Sequence, residues 1–256
     1  MTPLLQVRGL TREFGGITAV RELDFEVRAG QIKALIGPNG AGKTTILSML
    51  AGALAPTRGQ MIFEGRPLPV CRPHAVVARG IARTFQLVRL FGDMTVLDNV
   101  LVGCHSRGRA GWAASAVRTR GMRREEGRLH ERALAILDRV GLAARAGAIA
   151  SALPYGEQRL VELARALATE PRLLLLDEPG AGLDATEHAR LATLLRAIRD
   201  GATTVLLVDH HMEFVLDLSD EVLVVCHGEK LAEDTPAAVR RHPAVVAAYL
   251  GDDEAA

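Results

Sequence analysis

Short apolar runs alternate with stretches of helical periodicity along much of this chain. The runs are IKALI (32–36), RLLLLD (172–177), TTVLLVD (203–209) and EVLVVC (221–226). Continuous apolar runs of this length predict buried strands. Between the second and third runs, apolar residues recur at helical spacing, at Leu191, Leu194, Leu195 and Ile198. Strand, helix and strand repeated in this order predict an α/β fold with a mostly parallel sheet covered by helices.

The front and the middle of the chain have different patterns. The segments LLQVRGL, AVRELDFEV and QMIFEG are separated by Gly and Pro turns and predict edge or antiparallel strands. Between about residues 86 and 169 helical patterns replace them, with one apolar face at Leu129, Ala133, Ile136, Leu137 and Val140. We therefore predict one domain, with a core of residues 1–85 and 170–256 and a mostly helical insertion at 86–169. Only the acidic ending GDDEAA is predicted to be disordered.

Composition excludes several classes of protein. Lys and Arg number 31 against 30 Asp and Glu, so a nucleic-acid partner is not expected. The cysteines have no paired spacing, which indicates free thiols in a reducing compartment and argues against a zinc site; they are Cys71, Cys104 and Cys226. The start lacks a signal peptide pattern, and no apolar run reaches the ~18 residues of a membrane helix. We expect a cytosolic protein unless a partner holds it at a membrane.

The segment GPNGAGKTT contains the strongest chemical motif. It satisfies the phosphate-loop pattern G-x-x-x-x-G-K-[ST], with a predicted strand before it and a predicted helix after it. Glycines let the backbone N–H groups surround phosphates, while Lys43 reaches the terminal phosphates and the Thr44 hydroxyl binds Mg²⁺. The predicted nucleotide-binding residues are Gly37, Pro38, Asn39, Gly40, Ala41, Gly42, Lys43, Thr44 and Thr45. This motif predicts a nucleotide-binding protein.

Two adjacent carboxylates end the strand LLLLDEP. Side chains alternate along a strand, so Asp177 and Glu178 should leave its end in different directions. We assign Asp177 to the metal and Glu178 to the role of general base for an attacking water. The alternative is an ordinary acidic cap on a turn.

The segment SALPYGEQRLVELARALA suggests a second anion site. Gly156 is expected to precede a helix that packs through Leu160, Leu163, Ala164 and Leu167. The Pro-Tyr-Gly turn leaves N–H groups at the start of that helix, which suits a phosphate. Because the chain already has one phosphate loop, a second site suggests an ATP shared between two subunits.

Together these motifs resemble the ATP-binding cassette (ABC) family. The matching segments, in order, are the phosphate loop, Gln86 in ARTFQ, LPYGEQ (153–158), LLLLDE, AGLD (181–184) and His210. Finer features resemble the ATPases of branched-chain (hydrophobic) amino-acid importers. They are FGG (14–16), RTFQLVRLFGDMTVLDNVLVG (83–103), the basic insertion that follows and the ending HPAVVAAYLG.

The resemblance implies a head-to-tail dimer with two ATP molecules and Mg²⁺ in its interface. Tyr155, Gly156 and Glu157 of one chain would face the phosphate held by Lys43 of the other. Gln86 would lie near the nucleotide, the metal and the membrane partner. His210 would bond the γ-phosphate, whereas its neighbour His211 receives no role.

Two further residues receive roles from the resemblance. Asp184 would help to link the two ATP sites. Phe14 would stack on adenine, a contact worth roughly 1–3 kcal/mol by analogy with nucleic-acid stacking. The alternative for Phe14 is an aromatic residue of the core.

The resemblance also implies partners and a location. The partners are membrane permease subunits, a second ABC ATPase subunit (a copy of this chain or a sister chain) and, indirectly, a solute-binding protein. The chain would lie at the cytoplasmic face of the membrane. Two alternatives stay open: a soluble ABC protein of DNA repair or translation, and a small-molecule kinase with the same phosphate loop.

Two further features of the sequence are the residue in place of the signature serine and a run of arginines. The signature usually has a Ser that reaches the partner's γ-phosphate, and here Pro154 takes its place, so a hydrogen bond of about 1.5–3 kcal/mol is lost. We interpret this proline as a trait of the importer subfamily. The Arg run is interleaved with glutamates and predicts a solvated helix face more than a lipid or nucleic-acid site; it consists of Arg118, Arg120, Arg123, Arg124, Arg128 and Arg132.

Overall fold

The computed structural model describes residues 3–105 and 120–253. The strands are β1 (Leu5–Phe14), β2 (Ile17–Val27), β3 (Ile32–Ile36), β4 (Arg58–Phe63), β5 (Arg66–Pro67), β6 (Ile81–Arg83), β7 (Leu173–Asp177), β8 (Thr204–Val208), β9 (Glu221–Cys226) and β10 (Glu229–Asp234). The helices are α1 (Lys43–Leu50), α2 (Pro73–Ala78), α3 (Val96–His105), α4 (Arg120–Arg139), α5 (Tyr155–Ala168), α6 (Ala185–Asp200), α7 (Met212–Leu218), α8 (Pro236–Val239) and α9 (Pro243–Asp253).

These elements form two compact units. The first, called the core unit, contains the residues up to Arg83 and those from Arg172 onward, and the second, called the helical unit, is Thr84–Pro171. These boundaries lie two residues away from those predicted from the sequence.

A six-stranded sheet organises the core unit. Its order is β10-β9-β3-β8-β7-β6, and all neighbours are parallel except the pair β9 and β10. Every residue of β3, β7 and β8 is buried, as expected for strands covered on both faces. The predicted mostly parallel sheet is therefore confirmed. The parallel strands bring the ends of β3, β6, β7 and β8 to one edge, where the phosphate loop begins.

A second sheet in the core unit is antiparallel, in the order β2-β1-β4-β5. Side chains from this sheet, from the parallel sheet and from α1 share one apolar cluster, which includes Leu5, Leu23, Phe63, Leu35, Ile46 and Leu206. The antiparallel strands predicted for the front of the chain are confirmed, and the predicted fold class is correct.

The helical unit is built from α3, α4 and α5, which pack on one another. Within 84–105 and 120–171 it has no strand, only an isolated bridge between Thr95 and Ile149. The predicted apolar face is confirmed in part: Ala133 and Leu137 on α4 and Val140 just after it are buried, whereas Leu129 and Ile136 are half-buried.

Three details differ from the sequence predictions. Helix α5 begins at Tyr155, so Gly156 lies inside its first turn and does not precede it. Leu160 is only half-buried, whereas the polar residues Arg159 and Glu162 of the same helix are buried. The acidic ending GDDEAA was predicted to be disordered, but α9 continues through its first three residues to Asp253. Residues 254–256 lie outside the described residues.

The Arg run and the cysteines can be compared with expectation in part. Arg118 lies outside the described residues, and of Arg120 and Arg123 only the helical backbone is described. The next two, Arg124 and Arg128, are exposed as predicted. Arg132 is not a solvated residue: it is half-buried, donates to the carbonyl of Ala168 (3.1 Å) and pairs with Glu170 (2.8 Å). The cysteines are free thiols, as expected.

Candidate active site

The phosphate loop connects β3 to α1, and two of its three glycines stand where a side chain would collide with the backbone of neighbours. A Cβ on Gly37 would lie 1.9 Å from the carbonyl oxygen of Val225, and one on Gly42 would lie 2.4 Å from that of Ala19. Gly40, in contrast, has a φ of 78° and open space where a Cβ would point. The loop therefore packs tightly against neighbouring backbone at Gly37 and Gly42 and is open at Gly40.

Lys43 is folded over the loop that precedes it. Its ammonium group donates to the carbonyl oxygens of Gly37 (2.5 Å) and Pro38 (2.8 Å). Lys43 also begins α1, whose first N–H groups have no partner within the helix. The Thr44 side chain is exposed at the same helix end, and Thr45 is half-buried. A positive charge, helix N–H groups and a hydroxyl thus meet at one place, a combination that fits a phosphate chain with a cation.

The outer surface of the loop borders a cavity of about 490 Å³. The cavity is shared with the turn after β9 and with α9, and its lining residues are Pro38, Asn39, Gly40, Ala41, Cys226, His227, Ala247 and Ala248.

Asp177, the predicted metal residue, is almost fully buried and pairs with an arginine that the sequence did not reveal. Arg83, at the end of β6, donates to Asp177 Oδ2 (2.8 Å) and to the hydroxyl of Ser48 on α1 (2.9 Å). The side chains of the ion pair are 8% and 3% exposed. Arg83 therefore fixes the carboxylate in position and ties β6, β7 and α1 together.

Glu178 leaves the end of β7 toward the other neighbouring strand. Its N–H donates to the carbonyl of Val208 at the end of β8 (2.7 Å), and its φ of 48° turns the chain sharply. Such a backbone conformation is strained for a residue with a side chain and is often found at functional sites. The turn places Glu178 Oε2 3.8 Å from Nδ1 of His210. The two predicted catalytic groups, Glu178 and His210, are thus neighbours, while Asp177 faces β6.

Asp209 and His211 flank His210, and neither was given a role from the sequence. The Asp209 carboxylate is buried and accepts hydrogen bonds from the N–H groups of Gly180 (3.1 Å) and His211 (3.0 Å). His211 Nδ1 lies 3.1 Å from Asp209 Oδ1. Asp209 therefore holds the turn after β7 and the turn after β8 together, which supports Glu178 and His210.

In the helical unit, Arg159 joins two predicted site residues. Its guanidinium donates to the carbonyl of Gln86 (2.9 Å) and to the hydroxyl of Tyr155 (2.8 Å). Arg159 itself is buried, while the side chains of Gln86 and Tyr155 are exposed. The backbone of Gln86 and the first turn of α5 are therefore fixed to each other. Arg159 was not predicted as a site residue, because a charged residue within a helix usually faces solvent.

The signature turn itself is ordered by local contacts. Pro154 is the N-cap of α5, and its carbonyl accepts from the N–H of Gln158 (3.0 Å). Glu157 pairs with Arg145 (3.4 Å). Gly156, within the first turn of α5, is half-buried.

The structure adds contacts at Phe14 and Asp184. Phe14, at the end of β1, is 43% exposed, so the alternative of a core aromatic is wrong. The guanidinium of Arg12 lies 4.4 Å from its ring centroid and covers one face of the ring. Asp184 is the N-cap of α6 and forms a capping box with Glu187 (2.8 and 3.0 Å).

Comparison with protein families then identifies the group to which this arrangement belongs. Residues 20–181, more than half of the chain, match the family model described as ABC transporter. The chain belongs to the ABC transporter family. A second model, described as branched-chain amino acid ATP-binding cassette transporter, matches residues 229–255 of this ABC chain.

Individual relatives of the ABC chain extend the match over nearly its whole length. It is 42% identical, over 98% of both chains, to the high-affinity branched-chain amino acid transport ATP-binding protein LivG of Salmonella typhimurium. It is 41% identical, again over 98% of both, to the corresponding protein BraF of Pseudomonas aeruginosa. The resemblance predicted from the motifs is confirmed.

Solved structures of other ABC cassettes agree with the fold. The crystal structure of the ADP conformation of an ATP-binding cassette superposes with a TM-score of 0.85 at 28% identity, covering 98% of this chain and all of the other (100%). A nucleotide-free cassette gives 0.83 at 27% identity, over 97% and 99%. Within 3–105 and 120–253, this ABC chain has no helix that is both long enough and apolar enough to span a bilayer.

Proposed function

We propose that this chain hydrolyses ATP as the energy-coupling subunit of an importer for branched-chain or other hydrophobic amino acids. The observation that carries the proposal is the pair Glu178 and His210, 3.8 Å apart at the edge of the sheet that also carries the phosphate loop. The transported substrate is inferred from the names of the relatives LivG and BraF, which match over 98% of the chain. Neither the soluble ABC protein nor the small-molecule kinase is favoured by these relatives.

In the proposed mechanism the core unit binds the nucleotide and activates the water that attacks it. Lys43 and the N–H groups of α1 bind the terminal phosphates, and Phe14 offers the ring face opposite Arg12 to adenine. Glu178 accepts a proton from the attacking water, and His210 hydrogen-bonds the γ-phosphate. The sharp turn at Glu178 keeps its carboxylate on the His210 side and away from Asp177.

Mg²⁺ fits the oxygen donors at this edge, and when bound it would neutralise charge on the phosphates. We expect Thr44, Asp177 and Gln86 to hold it. The exposed hydroxyl of Thr44 is available at the helix start, and Arg83 holds the Asp177 carboxylate in place.

The helical unit supplies the second half of a shared site. We propose that Tyr155, Gly156 and Glu157 of one subunit contact the nucleotide held by a second ABC subunit, either a copy or a sister chain. The N–H groups at the start of α5 would face the phosphate. Arg159 transmits changes at this turn to Gln86, because its guanidinium bonds both Tyr155 and the Gln86 backbone. The complex would include membrane permeases at the cytoplasmic face and would receive substrate from a solute-binding protein.

The test is the substitution Glu178→Gln in the complex purified from membranes. We expect ATP binding to persist, turnover to fall by about 10²–10⁴-fold because the general base is lost, and an ATP-bound dimer to accumulate. Glu213→Gln, which changes an exposed carboxylate of the same unit, is the matched control and should keep its activity. Undiminished hydrolysis by Glu178→Gln would remove Glu178 from this role, and failure to co-purify with hydrophobic subunits would count against an importer.

A further inference from the structure

Three consecutive side chains after β8 have the chemistry of metal ligands. Asp209, His210 and His211 each offer one ligand atom, and these atoms all lie within 4.8 Å of one another. His211 Nδ1 is 3.1 Å and His210 Nδ1 is 4.0 Å from Asp209 Oδ1. Ligand atoms around a tetrahedral zinc ion, at bonds of about 2.0–2.1 Å, are roughly 3.3 Å apart. Only small rotations of the two imidazole rings are therefore needed to place all three around one ion.

The cluster has a fixed part and an accessible part. Asp209 has a fully buried side chain, and two backbone N–H groups, those of Gly180 and His211, hold its carboxylate. The side chains of His210 and His211 are 57% and 44% exposed. An ion from solvent can thus reach two imidazoles that stand beside an already oriented carboxylate, and little order has to be created when it binds.

Two neighbouring groups are placed to complete the coordination. Glu178 Oε2 lies 3.8 Å from His210 Nδ1. The ring of His188 is 4.9 Å from that of His211, and its buried Nε2 atom has no hydrogen-bond partner among the residues that the structure describes. A buried nitrogen without a partner is costly, and a ligand nearby would relieve that cost. Either group, or a water molecule, can provide the fourth ligand that zinc requires.

The donor set selects the class of ion. Two imidazole nitrogens and one carboxylate suit Zn²⁺, Ni²⁺ or Cu²⁺, whereas Mg²⁺ prefers oxygen ligands alone. The spacing of the cysteines argued against a zinc site, but this cluster uses no thiol.

We propose that Asp209, His210 and His211 bind a transition-metal ion of the Zn²⁺ class, and that the bound ion inhibits ATP hydrolysis. Inhibition follows because a coordinated His210 cannot turn to the γ-phosphate. The binding step stands on the geometry of the three side chains, and the inhibition step rests on the proposed function.

Binding is tested on the full chain without nucleotide, by competition for Zn²⁺ against a chromophoric chelator. All proteins carry Cys71→Ser, which removes the exposed thiol as a competing ligand. We expect one zinc site, weakened at least about tenfold in His211→Gln. His242→Gln, which changes an exposed histidine of the same unit, is the matched control and should bind like the parent. Equal affinity in the parent and in His211→Gln would overturn the site.

Inhibition is tested with Mg-ATP at free Zn²⁺ concentrations fixed by a metal buffer. We expect zinc to suppress hydrolysis by the parent, and the inhibitory concentration to rise at least about tenfold in His211→Gln, with the rate of each protein expressed relative to its own rate without zinc. Equal inhibition of both proteins would overturn the inhibitory role. If the parent shows no hydrolysis even without zinc, the proposed function fails, and the binding measurement still decides whether the metal site exists.

Discussion

Lys33 and Lys43 lie on the same stretch of chain, one inside β3 and one at the start of α1, and oxygen atoms surround both. Lys33 is 1% exposed and contacts the carboxylates of Glu221 and Glu233 as well as the carbonyl of Glu26 (2.6 Å). Lys43 contacts the carbonyls of its own loop. Carboxylates hold an ammonium group and also cancel its charge, whereas carbonyls only hold it. Lys33 thus stabilises the fold, whereas Lys43 is positioned to bind an anion.

The largest effect is expected from Lys43→Met. Removing this charge should lower ATP hydrolysis by about 10²–10³-fold, because a positioned donor to the reacting phosphate is lost. The free energy of unfolding should fall by less than in Lys33→Met, because the hydrogen bonds from Lys43 to Gly37 and Pro38 go to neutral carbonyls of a loop, and a typical hydrogen bond contributes about 0.5–1.5 kcal/mol. Parallel measurement of turnover and of urea unfolding checks both halves. Retained turnover would contradict the role of Lys43.

The opposite outcome is expected from Lys33→Met. The change leaves two carboxylates without their buried ammonium group and should lower the free energy of unfolding by about 3–5 kcal/mol. Lys230→Met is the control, because Lys230 pairs with the same Glu233 (2.9 Å) but is 38% exposed, and its loss should cost less than about 1 kcal/mol. If the two substitutions are equally destabilising in urea unfolding, Lys33 is not the centre of this cluster.

A smaller effect concerns acid stability. Burial raises the pKa of Glu233, but hydrogen bonds from Lys33 and Lys230 outweigh it, so the pKa is lowered from its ordinary value of 4.5. A lowered pKa in the folded state stabilises the protein above the ordinary pKa, and this contribution is lost as the pH falls through the folded pKa. The difference in unfolding free energy between the wild type and Glu233→Gln should therefore be largest near neutral pH and shrink as the pH falls below the ordinary pKa of 4.5. A difference that does not depend on pH would contradict this assignment.

The elements that were predicted correctly are those that depend on one local feature of the sequence. Apolar runs such as Leu173–Asp177 are buried because both faces of their sheet are covered, so composition alone reveals the strands. The phosphate loop was also predicted correctly, because all of its residues are neighbours in the sequence.

Contacts between residues that are distant in the sequence were not predicted. The partner of Asp177 is Arg83, on a strand of only three residues that is too short to produce a pattern. Arg159 and Glu162 are buried on a helix whose apolar spacing predicts only its aliphatic contacts. Burial raises the pKa of Glu162, which shows how far this carboxyl departs from the surface position that its type suggests.

Affinity for ATP tests the central claim most directly, because it asks whether Lys43 and its loop hold the nucleotide. Binding of ATP to the folded chain should be weakened at least about tenfold by Lys43→Met, and left unchanged by Lys33→Met under conditions where that variant is folded. Equal ATP affinity in Lys43→Met and the wild type would contradict the account.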